Sequence, residues 1–283
     1  MSEATAVMRE PQKAKDIMKY GVITVREDAS IYEAIGILIE KDISGIPVVD
    51  ESGQVGIISE KDVLRLLYEK ESVSGTVGEF MTSTVVSFEP EDSLADICEC
   101  FMQNAFRRVT ILEAGRLVGV VTRADMIRAN KYKFQPEGSA ADSAGRENLL
   151  ARDVMRYGLL TVRPETTIYE AMDILAGKNI TGLPVVDDCM NLVGIVSEKD
   201  ILRLLYGDET RPQTVGEIMT EEVVSFNQDD SLFDVCDCLI NNDFRRVPIL
   251  DRGKLVGIIT RTDIIEYILR NQSGVFKQRR ARP

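Results

Sequence analysis

Gly56-Ile57-Ile58-Ser59-Glu60-Lys61-Asp62 decides the architecture, because the same pattern is written four times. The other copies are Gly119-Val120-Val121-Thr122-Arg123-Ala124-Asp125, Gly194-Ile195-Val196-Ser197-Glu198-Lys199-Asp200 and Gly257-Ile258-Ile259-Thr260-Arg261-Thr262-Asp263. Each reads as an apolar strand ending in Ser or Thr, with an Asp three residues later at the head of a helix. Asp62 and Asp125 lie 63 positions apart, as do Asp200 and Asp263, whereas Asp62 and Asp200 lie 138 apart. A repeat nested in a larger repeat outranks other signals, since each copy is one supersecondary unit that completes its core only against a neighbour. In 283 residues it leaves almost no room for another domain.

Outward from this stretch, each unit predicts the order β-α-β-β-α. In unit one, Val22-Ile23-Thr24-Val25 is a short strand, and Ile31, Ala34, Ile35, Leu38 and Ile39 form the apolar stripe of a core-facing helix. Ser30-Ile31-Tyr32-Glu33 marks that helix start as a capping box, and Ser93-Leu94-Ala95-Asp96, Thr167-Ile168-Tyr169-Glu170 and Ser231-Leu232-Phe233-Asp234 repeat it. Two apolar strands follow, Ile46 to Val49 and Val55 to Ile58, separated by a Gly-containing turn, and then a second helix from near Glu60. Gly45-Ile46-Pro47-Val48-Val49-Asp50 returns as Gly182-Leu183-Pro184-Val185-Val186-Asp187. Units two and four share Phe106-Arg107-Arg108-Val109-Thr110-Ile111-Leu112 and Phe244-Arg245-Arg246-Val247-Pro248-Ile249-Leu250. Odd units thus resemble odd and even resemble even, as if a two-unit module was built first and then duplicated. A unit of about 55 residues buries little surface alone. Units one with two, and three with four, are therefore expected to share the cores of their sheets and helices.

Composition narrows the function. An apolar fraction of 44% supplies real cores, and no apolar run reaches the length of a membrane span. Met1 to Lys15 is polar and lacks the apolar stretch of a secretory signal, so the chain is expected to be cytoplasmic. A net charge of −12 argues against a nucleic-acid partner, which needs a basic face. It leaves room for a phosphate-bearing small molecule held by a local Arg cluster. The pairs Cys98/Cys100 and Cys236/Cys238 fall in predicted helices, where positions i and i+2 face different ways; with no His in the chain they read as small core residues, and no metal is expected.

The strand-Gly-x-Pro-Val-Val-Asp motif followed by Gly-x-x-Ser/Thr-x-x-Asp, inside a β-α-β-β-α repeat, resembles the cystathionine-beta-synthase (CBS) motif, two of which form a Bateman module. The resemblance covers about residues 16–270 and is similar in layout to stand-alone prokaryotic CBS proteins and to the gamma subunit of AMP-activated protein kinase. It implies an α/β fold of four CBS motifs, at 10–72, 73–133, 149–210 and 211–272, paired into two Bateman modules, with a flexible linker at 134–148 and a basic tail at 273–283. It further implies clefts for adenosine ligands: AMP, ADP or ATP, with S-adenosylmethionine as the alternative. Asp62, Asp125, Asp200 and Asp263 would then hold ribose hydroxyls. Ser59, Thr122, Ser197 and Thr260 would lie near phosphate, and Arg107-Arg108 and Arg245-Arg246 would clamp it, with Lys61 and Lys199 as the odd units' cations.

Elementary chemistry supports such a site. Helix N-termini favour anions, a carboxylate accepts both hydroxyls of a vicinal diol, and Arg forks grip phosphate oxygens. The same Ser/Thr-x-x-Asp spacing is also an ordinary capping box. Thr110 stands where the other units have Pro, Glu60 and Glu198 would repel a phosphate facing them, and the sites are expected to be inequivalent. With no nucleophile elbow, phosphate loop or spare catalytic domain, an enzyme is the weaker reading. A nucleotide sensor acting on a separate effector protein is the stronger one, a ligand-free scaffold is the third class, and a homodimer is left open.

Overall fold

The computed structural model describes residues 13–69, 74–104, 106–134, 149–204 and 213–272; the expected linker and basic tail fall outside them, apart from Phe134. Unit one contains β1 (Val25–Arg26), α1 (Ile31–Glu40), β2 (Gly45–Asp50), β3 (Gly53–Ser59) and α2 (Glu60–Glu69). Unit two opens with a short helix α3 (Val77–Phe80) and continues through β4 (Ser87–Phe88), α4 (Leu94–Gln103), β5 (Arg108–Glu113), β6 (Arg116–Thr122) and α5 (Arg123–Asn130). Unit three has α6 (Ile168–Gly177), β7 (Gly182–Val186), β8 (Leu192–Ser197) and α7 (Glu198–Arg203). Unit four has β9 (Phe226–Asn227), α8 (Leu232–Asn241), β10 (Arg246–Asp251), β11 (Lys254–Thr260) and α9 (Arg261–Gln272).

The predicted β-α-β-β-α order holds, with the first strand shrunk to two residues. It runs parallel to the second strand, which pairs antiparallel with the third. In unit three it is a single bridge, Val162 to Val185. Each hairpin carries a register shift at the same place, after Val48, Ile111, Val185 and Ile249. In the even units the hairpin turns on Ala114-Gly115 and Arg252-Gly253, both residues with positive φ. That is the twist-matching turn of a two-residue hairpin, and it explains the Gly at its second position.

The capping boxes are fewer than the sequence suggested. At the first helices only Thr167 and Glu170 bond reciprocally. Ser30, Ser93 and Ser231 instead accept from the amides of Tyr32, Ala95 and Phe233 two residues on. A serine oxygen can satisfy either orphan amide of the first turn, so the spacing alone does not decide which.

The core is arranged differently from the expectation that it is shared within pairs one–two and three–four. Inside a pair the units exchange backbone bonds edge to edge. Lys19, ahead of β1, bonds Val120 of β6 in both directions at 2.9 and 3.1 Å, while Thr82 does the same with Ile57 of β3 at 3.0 and 2.9 Å. Arg156 with Ile258, and Thr220 with Ile195, repeat this in the second pair. The helices bury their stripes across pairs. Helix α2 packs on α6 and α7, whereas α5 packs on α8 and α9 and α4 on α9. Ile97, Phe101 and Ile127 thereby share one continuous core with Val235, Leu239, Ile264 and Ile265. Leu202 of unit three enters the core of unit one, and Leu64 of unit one enters that of unit three. Sheet edges are satisfied by backbone hydrogen bonds within a module; the apolar helix faces find partners in the other module. All four units consequently meet around one centre.

Candidate functional site

The four motif acids are built identically at one oxygen and differently at the other. Oδ2 of Asp62 accepts from the amide and hydroxyl of Ser59 at 2.8 and 2.5 Å. Asp125 with Thr122, Asp200 with Ser197 and Asp263 with Thr260 repeat both bonds at 2.6–2.9 Å. The capping role is therefore real at every copy. It spends one carboxylate oxygen and leaves Oδ1.

At Oδ1 the equivalence ends. Asp125 takes Arg128 at 2.9 Å and Lys19 at 3.3 Å, Asp263 takes Arg156 Nε at 2.6 Å, and Asp200 has Arg203 at 3.5 Å. Asp62 has instead the Thr82 hydroxyl at 3.4 Å. Lys19 and Arg156 belong to the lead-in segments of the odd units, which lie against β6 and β11; the even units bring Thr82 and Thr220 to the corresponding edges of β3 and β8. Sequence reasoning passed over these two cations, although Met18-Lys19-Tyr20-Gly21 and Met155-Arg156-Tyr157-Gly158 repeat in units one and three.

Where the units meet, a cavity of about 1120 Å³ opens. Ser59, Lys61, Asp62, Arg107, Arg108, Thr122, Arg245, Arg246 and Thr260 line it, whereas Asp125, Ser197, Lys199, Asp200 and Asp263 lie outside its wall. Lys19, Arg65, Arg123, Arg156 and Arg261 add further cations, against the carboxylates of Asp42, Asp62 and Asp243. A chain of net charge −12 thus gathers eight guanidinium groups around one space. Low-dielectric walls focus that field on whatever enters.

The Arg pairs divide by role. Arg108 donates to the Gly45 carbonyl and, at 2.8 Å, to the Ser44 hydroxyl; Arg246 donates to the Gly182 carbonyl and the Thr181 hydroxyl. Each ties an even unit to the odd unit of its own module. Burial and the neighbouring Arg push both down to about 10. Arg107 and Arg245 reach instead to Glu60 and Glu198, Arg245 crossing to Glu60 of the other module and Arg107 touching Glu60 of its own module and Glu198 of the other. Arg245 grips Glu60 with two parallel bonds at 2.6 and 2.8 Å, and Arg107 touches Glu60 at 3.3 Å and Glu198 at 3.1 Å. Burial is the largest single influence on the Arg245 cation and works against it, but the Glu60 bond together with the charges of Glu60, Glu198 and Asp243 raises its pKa. Glu198 is raised by burial, with Arg107 pulling the other way.

The odd-unit lysines also bridge modules. Lys61 donates to Asn179 at 2.5 Å, and Lys199 pairs with Asp42. Asp42 and Asn179 both sit at positive φ, just after α1 and α6, which turns their short polar side chains toward the opposite module. Burial pushes the Lys199 ammonium down to about 8.

The CBS domain family matches residues 14–69, 77–132, 151–207 and 215–270. This chain belongs to the CBS domain family. Its motifs are paired into Bateman modules through the edge bonds described above. Protein MJ1225 of Methanocaldococcus jannaschii is 30% identical over 203 residues, 70% of this chain and 71% of that one. The MJ1225 crystal structure superposes on 90% of this chain and 99% of its own with a TM-score of 0.80 at 21% identity. A conserved protein of Pyrococcus horikoshii covers 91% and 99% with a TM-score of 0.61 at 24% identity. CBSX2 of Arabidopsis thaliana, solved in complex with AMP, is 34% identical across 44% of this chain and 98% of its own, with a TM-score of 0.41. Among the described residues no helix is long and apolar enough to cross a membrane, and no group of three or more His, Cys, Asp or Glu side chains could hold a metal.

Proposed function

We propose that the chain is a regulatory protein that binds an adenine nucleotide (AMP, ADP or ATP) in the central cavity and passes the bound state to an effector protein. The observation that carries this reading is the convergence of guanidinium groups from the even units on a cavity that also presents Ser59 and Asp62 at the start of α2. An Arg-lined wall suits phosphate, a carboxylate oxygen held among the described residues by a long hydroxyl contact suits a ribose diol, and the amide end of a helix adds positive potential. Asp62 is the acid fitted to the ribose role, because it lines the cavity and the other three have cations on their second oxygen. Since the cavity is walled by both modules, an occupant that favours one arrangement of them shifts their relative placement by its difference in affinity. S-adenosylmethionine, whose adenosine would use the same acid but whose sulfonium would meet the arginines unfavourably, is the lesser reading.

Calorimetric titration of the full chain with adenosine, AMP, ADP, ATP and S-adenosylmethionine tests the proposal. Phosphorylated ligands are expected to bind more tightly than adenosine, and added salt to narrow that gap. Turnover of ATP without saturable binding, or no binding of any adenosine compound, would overturn it.

A further inference from the structure

The even units place Arg123 and Arg261 directly after the cap hydroxyl, whereas the odd units place Glu60 and Glu198 there. Both carboxylates are buried, at 0% and 2% exposure, and lie behind the cavity wall. The guanidinium groups that hold them, Arg107 and Arg245, form part of that wall. One residue from each of the four units thereby enters a single cluster of two anions and two cations. Its net charge is zero. The phosphate-facing charge of Arg107 and Arg245 is already matched from behind, and each guanidinium keeps only its remaining N–H donors for the cavity.

We propose that Glu60 and Glu198 are the residues that set how many phosphates the ligand carries, by holding Arg107 and Arg245 in a neutral cluster. The inference rests on the nucleotide reading above and deepens it. With both acids ionised, a second or third phosphate gains little from these two arginines. With one acid neutralised, a net positive charge appears at the wall and attraction grows with each phosphate. The cluster is lopsided. Glu60 accepts three bonds from the two arginines, while Glu198 accepts one at 3.1 Å. Neutralising either acid removes one negative charge, but neutralising Glu60 loosens both arginines and neutralising Glu198 only Arg107.

The test is calorimetric titration of adenosine, AMP, ADP and ATP into the wild-type chain and the variants Glu60→Gln and Glu198→Gln. Gln keeps the shape and a hydrogen-bonding oxygen for the arginines. In Glu60→Gln, ATP affinity is expected to rise on the order of tenfold relative to wild type, AMP affinity less, and adenosine not at all. Glu198→Gln should follow the same order with a smaller slope. An equal change for adenosine and ATP, or a fall in ATP affinity in variants that still unfold cooperatively, overturns the inference. Should Glu60→Gln fail to fold, the ATP-to-adenosine ratio in Glu198→Gln decides the matter. A wild-type chain that binds neither adenosine nor any nucleotide sinks the underlying reading; wild-type binding with an unaltered ratio in the variants sinks only this one.

Discussion

Asp62→Asn separates the ribose role proposed for Asp62 from its capping role. Asp62 uses Oδ2 for the Ser59 amide and hydroxyl, and an Asn oxygen can still accept both. What Asn lacks is the anionic second oxygen, now 3.4 Å from the Thr82 hydroxyl. A hydrogen bond to a charged partner contributes about 1.5–3 kcal/mol, so AMP should bind about 10- to 100-fold more weakly. Stability should fall little, because the residue is only half-buried and has no cation on Oδ1 among the described residues. Asp263→Asn is the counterpart. That carboxylate is 6% exposed, lies outside the cavity wall, and holds Arg156 at 2.6 Å. Breaking the pair leaves Arg156, among the described residues, with its rim partner Glu266, so the loss should appear mainly in the melting temperature. Calorimetric titration with AMP and thermal unfolding without ligand, run on both variants, separate the two. Equal losses of affinity that track the losses of stability would refute the reasoning, and so would wild-type affinity in Asp62→Asn.

Arg246→Gln should cost about 2–4 kcal/mol of stability, because it strips the buried Gly182 carbonyl and the half-buried Thr181 hydroxyl of their donor, yet lower the ATP-to-adenosine ratio only slightly, since its guanidinium is spent on those two acceptors. Arg245→Gln should lower that ratio; thermal melts and paired titrations check both, and matching behaviour of the two variants would defeat the division of the Arg pair. Gly182→Ala should destabilise by about 1–3 kcal/mol, since the new Cβ would lie 2.6 Å from Arg246 Nη1 and 3.0 Å from the Val196 carbonyl; an unchanged melting temperature would count against that packing. Glu198 supplies a pH signature. Its folded pKa is raised above 4.5 by burial, so as pH climbs from about 4.5 the unfolded state loses its proton first and stability falls until the folded value is passed. The stability of wild type relative to Glu198→Gln should therefore decline across that window, and a difference that grows with pH would contradict it.

How much of this was written in the sequence depends on the range of the interaction concerned. The four units, their hairpins and the caps at Ser59, Thr122, Ser197 and Thr260 are local, and residue spacing specifies them completely. The partner of each helix was not. An apolar stripe says that a face is buried but carries no address, and the four helix pairs are similar enough that packing within a module looked as good as packing across modules. Only the edge bonds of Lys19, Thr82, Arg156 and Thr220, which occupy the sheet sides of each pair, leave the helices free to meet the opposite module. The same long-range geometry sorts the site residues. Asp125, Asp200 and Asp263 have the motif of Asp62 but receive cations, from the odd-unit lead-in segments or from their own helices. Glu60 and Glu198, which looked like obstacles to phosphate when read one unit at a time, face arginines contributed by other units. Four nearly identical sentences therefore produce one centre and not four equal clefts. The small differences among the copies, Glu against Arg after the cap and Lys or Arg against Thr in the lead-in, are what make the four copies unlike at that centre.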